Sequence, residues 1–195
     1  ESYAGASSWL RMEKAVQDLT GCPYVLPTHQ GRAAEHLLYS RIGGSGKVFI
    51  SNTHFDTTRA NIEFSGATAI DCPIAENRNP ALLHPFKGNL DTAQLLENIE
   101  RFGAENIAAV ILTVTNNSGG GQPVSMQNAR EVAEICKKHH IRFILDACRI
   151  AENAWFVKHR EPGFEGRTYR EIAQQMFALA DGCIMSAKKD ALVNM

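Results

Sequence analysis

The sequence at residues 182–190 is GCIMSAKKD, an apolar run that ends in a serine and two adjacent lysines. An apolar run of this length is typical of a buried strand. We therefore expect the lysines on the crest of an open α/β sheet, where ligands bind. A lysine that is desolvated there loses its proton near neutral pH and can attack an aldehyde. The alternative is that Lys188 and Lys189 form a solvated turn, the usual place for such pairs.

Upstream of this segment, helix-like and strand-like segments alternate along the chain. This alternation predicts an α/β fold with a mostly parallel central sheet and helices on both of its faces. The predicted helix caps are Asp91, Ser125 and Thr168, the last of which forms a capping box with Glu171. The predicted strands are 48–50, 68–71, 108–114, 142–145 and the run from 182, and the predicted helices are 8–19, 31–40, 90–102, 125–139 and 168–179.

The composition is that of one globular domain. With 195 residues, 44% of them hydrophobic and 21% charged, the chain is long enough to bury a core. Its net charge of −1 provides no basic field for nucleic acid or for an anionic membrane. Five cysteines, an odd number without a C-x-x-C pair, favour reduced thiols and a cytoplasmic location. The sequence has no apolar segment of transmembrane length and no signal peptide.

Both ends of the sequence indicate a piece of a longer protein. The chain starts at Glu1, without an initiator methionine, and a helix-like segment follows almost at once. It stops at Met195, immediately after the two lysines. Because a domain rarely ends just past its most informative residues, we expect that residues 1–195 belong to a longer chain.

Two segments offer backbone groups to a ligand. Residues 28–32, THQGR, open a predicted helix, and N–H groups at a helix start together with a glycine make an anion site. Residues 115–123, TNNSGGGQP, follow a strand rich in β-branched residues, and their glycines let the backbone pass close to a ligand. The alternatives are an ordinary helix entry for the first segment and a flexible turn for the second.

Three side chains near predicted strand ends add candidate chemistry. Asp146 ends the strand 142–145, where a carboxylate can pair with a cationic ring nitrogen or can simply cap a helix. Arg149 follows three residues later and either serves the same site or forms a surface or intrahelical salt bridge. Phe55 follows the strand 48–50, where its ring can stack on a planar cofactor or pack in the core.

Other classes of site lack support in the sequence. The histidines at 29, 54, 139 and 140 lack the spacing to cysteines or carboxylates that zinc sites show. The G-x-S-x-G motif of serine hydrolases does not occur, and neither does a Walker motif or G-x-G-x-x-G. These observations leave the lysine segment and the strand ends as the candidate site.

Six stretches together resemble the β-eliminating lyases, the family of tryptophanase and tyrosine phenol-lyase. These are pyridoxal-phosphate enzymes with the aspartate-aminotransferase fold (fold type I). The resemblance implies that residues 1–195 are a single domain, most of the cofactor-binding large domain, without the family's N-terminal arm and C-terminal small domain. The stretches occur in family order and are YAG at 3–5, PTHQGR at 27–32, FKGN at 86–89, GGQPVS at 120–125, AENA at 151–154 and SAKKD at 186–190.

The resemblance also implies a role for each site residue. Lys189 binds the cofactor covalently with Lys188 beside it, and Asp146 keeps the ring nitrogen protonated. Tyr3 reaches a neighbouring subunit's site as proton donor to the leaving group, and Glu1 and the Asn194 carbonyl bind a monovalent cation, usually potassium. The other implied cofactor contacts are the phosphate at Gln30, Gly31 and Ser186, the ring face at Phe55, the 3-oxygen edge at Asn117 and Arg149, and Arg32 nearby.

The implied reaction is α,β-elimination of an aromatic amino acid in a homo-oligomer, typically a tetramer. Asp56, which follows Phe55, favours tryptophan as substrate, with indole, pyruvate and ammonia as products. Tyrosine phenol-lyase, which releases phenol from tyrosine, is the alternative, and residues 163–165 and 193–194 hint at that branch. A non-catalytic cofactor-binding fragment is the alternative from another class.

Overall fold

The computed structural model describes residues 5–192 and contains one five-stranded sheet in which every neighbouring pair is parallel. The strand order is β2-β1-β3-β4-β5. The predicted α/β fold with a mostly parallel sheet is therefore confirmed. The strands are β1 (Val48–Ser51), β2 (Thr68–Asp71), β3 (Ile107–Thr113), β4 (Phe143–Asp146) and β5 (Gly182–Ile184).

Helices cover both faces of this sheet. The helices are α1 (Ser7–Thr20), α2 (Gly31–Ile42), α3 (Asp56–Phe64), α4 (Thr92–Phe102), α5 (Met126–His139), α6 (Ile150–Arg160) and α7 (Tyr169–Phe177). Short 3₁₀ turns lie at Ala75–Arg78, Ala104–Asn106 and Asn117–Gly119. None of the helices in the part of the chain that the structure describes has the length and apolar character needed to cross a bilayer.

The core is divided by the sheet into two apolar clusters. Val110 and Leu112 of β3 pack with α4, α5, α6 and α7 on one face. Ala109 and Ile111 of the same strand pack with α2 and α3 on the other face. Every residue of β3 is buried, as expected for the central strand of a parallel sheet that is covered on both sides.

The predicted helix caps are present. Asp91 accepts hydrogen bonds from the backbone N–H groups of Ala93 and Gln94, and Ser125 accepts one from Asn128. Thr168 and Glu171 form the reciprocal capping box at the start of α7. These caps are local in sequence, so they set the beginnings of α4, α5 and α7 without tertiary context.

Two helices, α3 and α6, were not predicted. Only Thr58 and Ile62 of α3 are buried, so its nine residues carry little apolar periodicity. At the start of α6, Arg149 occupies the N-cap position without a side-chain cap hydrogen bond. Both helices follow directly after strands, and so complete the β-α units that carry the site.

The parallel arrangement brings the carboxyl ends of the strands to one edge. Ser51 pairs in register with Asp71, and Thr113 pairs with Asp146, which in turn pairs with Ile184. The loops that follow these residues therefore converge, as at the ligand-binding edge of other open α/β sheets.

Candidate active site

A cleft of about 360 Å³ lies at this edge of the sheet. It is formed by the start of α2, the segment between β1 and α3, the ends of β3 and β4, and the loop after β5. The predicted residues that line it are Gln30, Gly31, Arg32, Phe55, Asp146, Arg149, Ser186, Lys188 and Lys189. The fold thus brings together side chains that are up to 159 positions apart in the sequence, from Gln30 to Lys189.

Two predicted site residues do not line the cleft. Asn117 lies on the 3₁₀ turn after β3 and is exposed, whereas its neighbour Asn116 is buried and lines the cleft. Asp56 is exposed at the start of α3, where its carboxylate accepts the Thr57 backbone N–H at 2.6 Å. Glu1, Tyr3 and Asn194 lie outside the described residues, so their predicted roles stay predictions.

The start of α2 and the loop after β5 lie close together and form the candidate anion site, here called the cradle. Gln30, the N-cap residue, is extended and makes no side-chain cap hydrogen bond. The first N–H groups of a helix have no intrahelical partners and attract an anion. A Cβ atom on Gly31 would lie 3.3 Å from the Cβ of Ser186, a tight contact, so glycine favours this close approach of the two segments.

Asp146 supplies a buried carboxylate beside this cradle. It is 7% exposed, and within residues 5–192 it forms no ion pair shorter than 4.0 Å. Burial raises the pKa of Asp146 above its ordinary value, and the nearby Glu35 adds to the rise. Hydrogen bonding with Cys148 opposes the rise, and the charge of Lys189 opposes it more weakly. A protonated ring nitrogen is the kind of partner that would offset this burial.

The two lysines differ in their surroundings. Lys188 is exposed, whereas Lys189 is half-buried. The charge of Lys189 also acts on Asp146 and on Cys148, lowering the pKa of each against the stronger effect of burial. Lys189 is thus the less exposed of the two lysines that line the cleft.

Arg149 fits both of the interpretations open for it, whereas Phe55 lies at the cleft and outside both core clusters. Arg149 lines the cleft while its Nε lies 3.7 Å from Glu152 Oε2, so it has an intrahelical partner as well. Its carbonyl accepts a hydrogen bond from Thr115 Oγ1 at 2.9 Å. Phe55 is half-buried as the N-cap residue of α3 and lines the cleft rather than belonging to either core cluster.

Sequence reasoning missed several residues that line the cleft. Glu35 is the clearest case: it is buried, and its carboxylate accepts hydrogen bonds from Thr57 Oγ1 at 2.8 Å and Thr58 Oγ1 at 2.5 Å. Its spacing of four from Gly31 on α2 is the signal that places it on the same helix face. The other missed residues are Thr57, Thr113, Val114, Asn116, Cys148 and Ile184.

A family model described as Beta-eliminating lyase matches residues 1–195, the whole chain. The chain belongs to the β-eliminating lyase family. Tryptophanase from Hyphomonas neptunium is 56% identical to it over 195 residues, which are 100% of this chain and 43% of that protein. Tyrosine phenol-lyase from Symbiobacterium thermophilum is 47% identical, again over 100% of this chain and 43% of that protein. This β-eliminating lyase chain therefore spans less than half the length of these curated relatives.

Solved structures show the same fold at low sequence identity. The SepCysS–SepCysE N-terminal domain complex matches with a TM-score of 0.64 and 16% identity, over 95% of this chain and 43% of that chain. A PLP-bound C-S lyase from Staphylococcus hominis matches with a TM-score of 0.57 and 15% identity, over 75% of this chain and 36% of that chain. The β-eliminating lyase chain thus has the architecture of the large domain of fold type I enzymes.

Proposed function

We propose that this chain is the cofactor-binding part of a pyridoxal-phosphate-dependent carbon–carbon lyase that cleaves L-tryptophan into indole, pyruvate and ammonia. The observation that carries the proposal is the cleft itself. The half-buried Lys189, the buried carboxylate of Asp146 and the cradle at the start of α2 line the same space of about 360 Å³. These groups match the aldehyde, the ring nitrogen and the phosphate of pyridoxal phosphate.

Different residues of the cleft would bind different parts of such a cofactor. Gln30, Gly31 and Ser186 would bind the phosphate, because they form the cradle at the start of α2. Phe55 would cover the ring, and Asp146 would accept the hydrogen bond of the ring N–H. When bound, pyridoxal phosphate supplies an electron-poor ring that delocalises the negative charge left when a substrate proton departs.

The chain's own side chains would then move and hold the protons. Lys189 Nζ would accept the proton from the substrate α-carbon as general base. Asp146 would stay ionised opposite a protonated ring nitrogen, since an ion pair offsets the cost of its burial. Tyr3, outside the described residues, would donate a proton to the departing indole carbon of a neighbouring subunit's substrate.

Tryptophan is favoured over tyrosine on sequence grounds. Asp56 follows the ring-stacking Phe55, as in tryptophanases, whereas the phenol-lyases carry threonine there. In support, one tryptophanase is 56% identical and one tyrosine phenol-lyase 47% identical, although a probable tryptophanase from Halobacterium salinarum is 44% identical. The exposed position of Asp56 means that it would act from the rim of the cleft rather than inside it.

The proposal also includes a potassium ion at Glu1 and Asn194, a homotetramer with shared sites and a cytoplasmic location. Each follows from the family resemblance. A non-catalytic cofactor-binding protein is the second candidate. Cofactor binding without release of indole or phenol would favour that candidate.

Reductive labelling tests the proposed function directly. The chain is mixed with pyridoxal phosphate, its visible spectrum is recorded, and borohydride reduction followed by peptide mapping locates the modified lysine. We expect a visible band and a label on Lys189, both lost in Lys189→Ala and both kept in Lys188→Ala. Indole release from tryptophan should exceed phenol release from tyrosine. A label that survives Lys189→Ala but not Lys188→Ala would refute the assignment of the lysine.

A further inference from the structure

The loop that carries the two lysines is hydrogen-bonded to one corner of the fold. We call residues 186–190 the lysine loop; the corner consists of residues 147–152, which are the turn after β4 and the first residues of α6. At one end of the loop, the Ser186 N–H donates to Cys148 Sγ at 3.2 Å. At the other end, the Asp190 N–H donates to the Cys148 carbonyl at 3.5 Å. The lysine loop therefore bridges over Cys148, two residues beyond Asp146.

The Asp190 side chain makes the strongest of these attachments. Its Oδ2 accepts the backbone N–H groups of Ala151 at 2.7 Å and Glu152 at 3.1 Å. These N–H groups belong to the first turn of α6, whose own N-cap residue, Arg149, provides no side-chain cap. A carboxylate at a helix N-terminus both satisfies these donors and interacts favourably with the helix dipole. Asp190 thus caps α6 from a position 39 residues further along the chain.

This attachment lies directly beside Lys189, the less exposed of the two lysines. Lys189 precedes Asp190 directly, and the turn around it is closed by hydrogen bonds from the Lys189 N–H to the Ser186 carbonyl and from the Leu192 N–H to the Lys189 carbonyl. With Asp190 held on α6, Lys189 is half-buried while Lys188 is exposed, although both border the cleft.

We propose that Asp190 is a positioning residue that selects Lys189 over Lys188 for reaction with the cofactor aldehyde. The inference rests on the proposed function. In the reaction, a lysine amine nitrogen forms a double bond to the aldehyde carbon, and the aldehyde oxygen leaves as water. Two adjacent lysines compete for one carbon, and the attachment of Asp190 to α6 decides which of them is presented to it.

The position of a reduced cofactor label measures this choice without any assay of activity. Wild-type chain, Asp190→Ala and Asp190→Asn are each mixed with pyridoxal phosphate, reduced with borohydride and mapped by mass spectrometry. Asp190→Ala should raise the ratio of Lys188 to Lys189 label about fivefold, the change expected for the loss of a helix cap. Asp190→Asn should keep close to the wild-type ratio, because an asparagine oxygen also caps a helix.

A second capping aspartate provides the matched control. Asp91 accepts the N–H groups of Ala93 and Gln94 at the start of α4, and it does not line the cleft. Asp91→Ala removes the same kind of cap and should leave the labelling ratio unchanged. If Asp190→Ala does not fold, Asp190→Ser replaces it and should shift the ratio in the same direction by a smaller amount.

The outcomes separate the role of Asp190 from the proposed function. Wild-type label on Lys189 with an unchanged ratio in Asp190→Ala would overturn the role of Asp190 and leave the proposed function standing. An equal shift in Asp91→Ala would also overturn it, because general destabilisation would then explain the change. Absence of label from the wild-type chain would overturn the proposed function, and the inference with it.

Discussion

Thr113 and Asp146 are register partners at the carboxyl ends of the neighbouring strands β3 and β4, and both line the cleft. Both are also buried, at 5% and 7% exposure. Thr113 Oγ1 is buried without a hydrogen-bond partner among residues 5–192. Asp146 accepts only the long 3.5 Å hydrogen bond from the Cys148 N–H, so two buried polar groups with little or no pairing lie side by side among the described residues. Burial of such groups lowers the free energy of unfolding.

Removal of the Thr113 hydroxyl should stabilise the cofactor-free chain. A buried hydroxyl without a partner costs about 1–3 kcal/mol, and Thr113→Val replaces it with a methyl group of similar size. We expect the free energy of unfolding in urea to rise by about 1 kcal/mol, while affinity for pyridoxal phosphate falls. Thr115→Val is the control, because Thr115 is buried as well but donates to the Arg149 carbonyl at 2.9 Å. Equal destabilisation by both substitutions would contradict the prediction.

Asp146 should make the cofactor-free chain less stable as the pH rises. Burial is the main cause that raises its pKa above the ordinary value of 3.8. Above that ordinary value the unfolded chain loses the proton first, so stability falls by up to about 1.4 kcal/mol per pH unit until the raised pKa is passed. Below the ordinary value both states are protonated and the penalty vanishes.

Asp146→Asn should therefore remove this dependence and be more stable than wild type near pH 7 without cofactor. Urea unfolding at a series of pH values from 3.5 to 7.5 would show a flatter profile for the variant. With pyridoxal phosphate bound, the order of stability should reverse, because the amide cannot pair with a protonated ring nitrogen. An identical pH profile for the two proteins would argue against the buried carboxylate as the titrating group.

Gly31→Ala should weaken phosphate binding at the cradle. The added Cβ would lie 3.3 Å from Ser186 Cβ and push the lysine loop away from α2. We expect affinity for pyridoxal phosphate to fall about tenfold, consistent with the usual cost of overpacking. Gly166→Ala is the control, since a Cβ there meets no atom within 4 Å and its backbone is not left-handed. Titration of the visible absorption band measures both, and similar affinities would refute the close-approach argument.

Features that depend on nearby residues were predictable from the sequence. The five strands follow from short apolar runs, and the caps at Asp91, Ser125 and Thr168 follow from residues within three positions of the helix start. The convergence of Phe55, Asp146 and Lys189 follows from the parallel sheet, since all parallel strands end at the same edge. This is why most of the predicted site residues line one cleft.

Features that depend on distant residues were not predictable. The cap of α6 comes from Asp190, so no local signal marks the start of that helix. Asn116 was not distinguished from Asn117, because their burial depends on whether the hydrogen bond from Asn116 Nδ2 to the Thr53 carbonyl forms. The burial of Glu35 depends in the same way on threonines from α3. Each case requires the tertiary structure before the role of the residue becomes visible.

Because Asp190 caps α6, the exchange of two backbone amides in that helix can report on the opening of the lysine loop. Ala151 and Glu152 are exposed residues, and their N–H groups are shielded by the Asp190 carboxylate. Exchange of these protons with solvent deuterium requires the aspartate to leave. We therefore expect the lysine loop and the first turn of α6 to open together. The exchange rates of a helix that does not contain Lys189 would then record the access of solvent to that lysine.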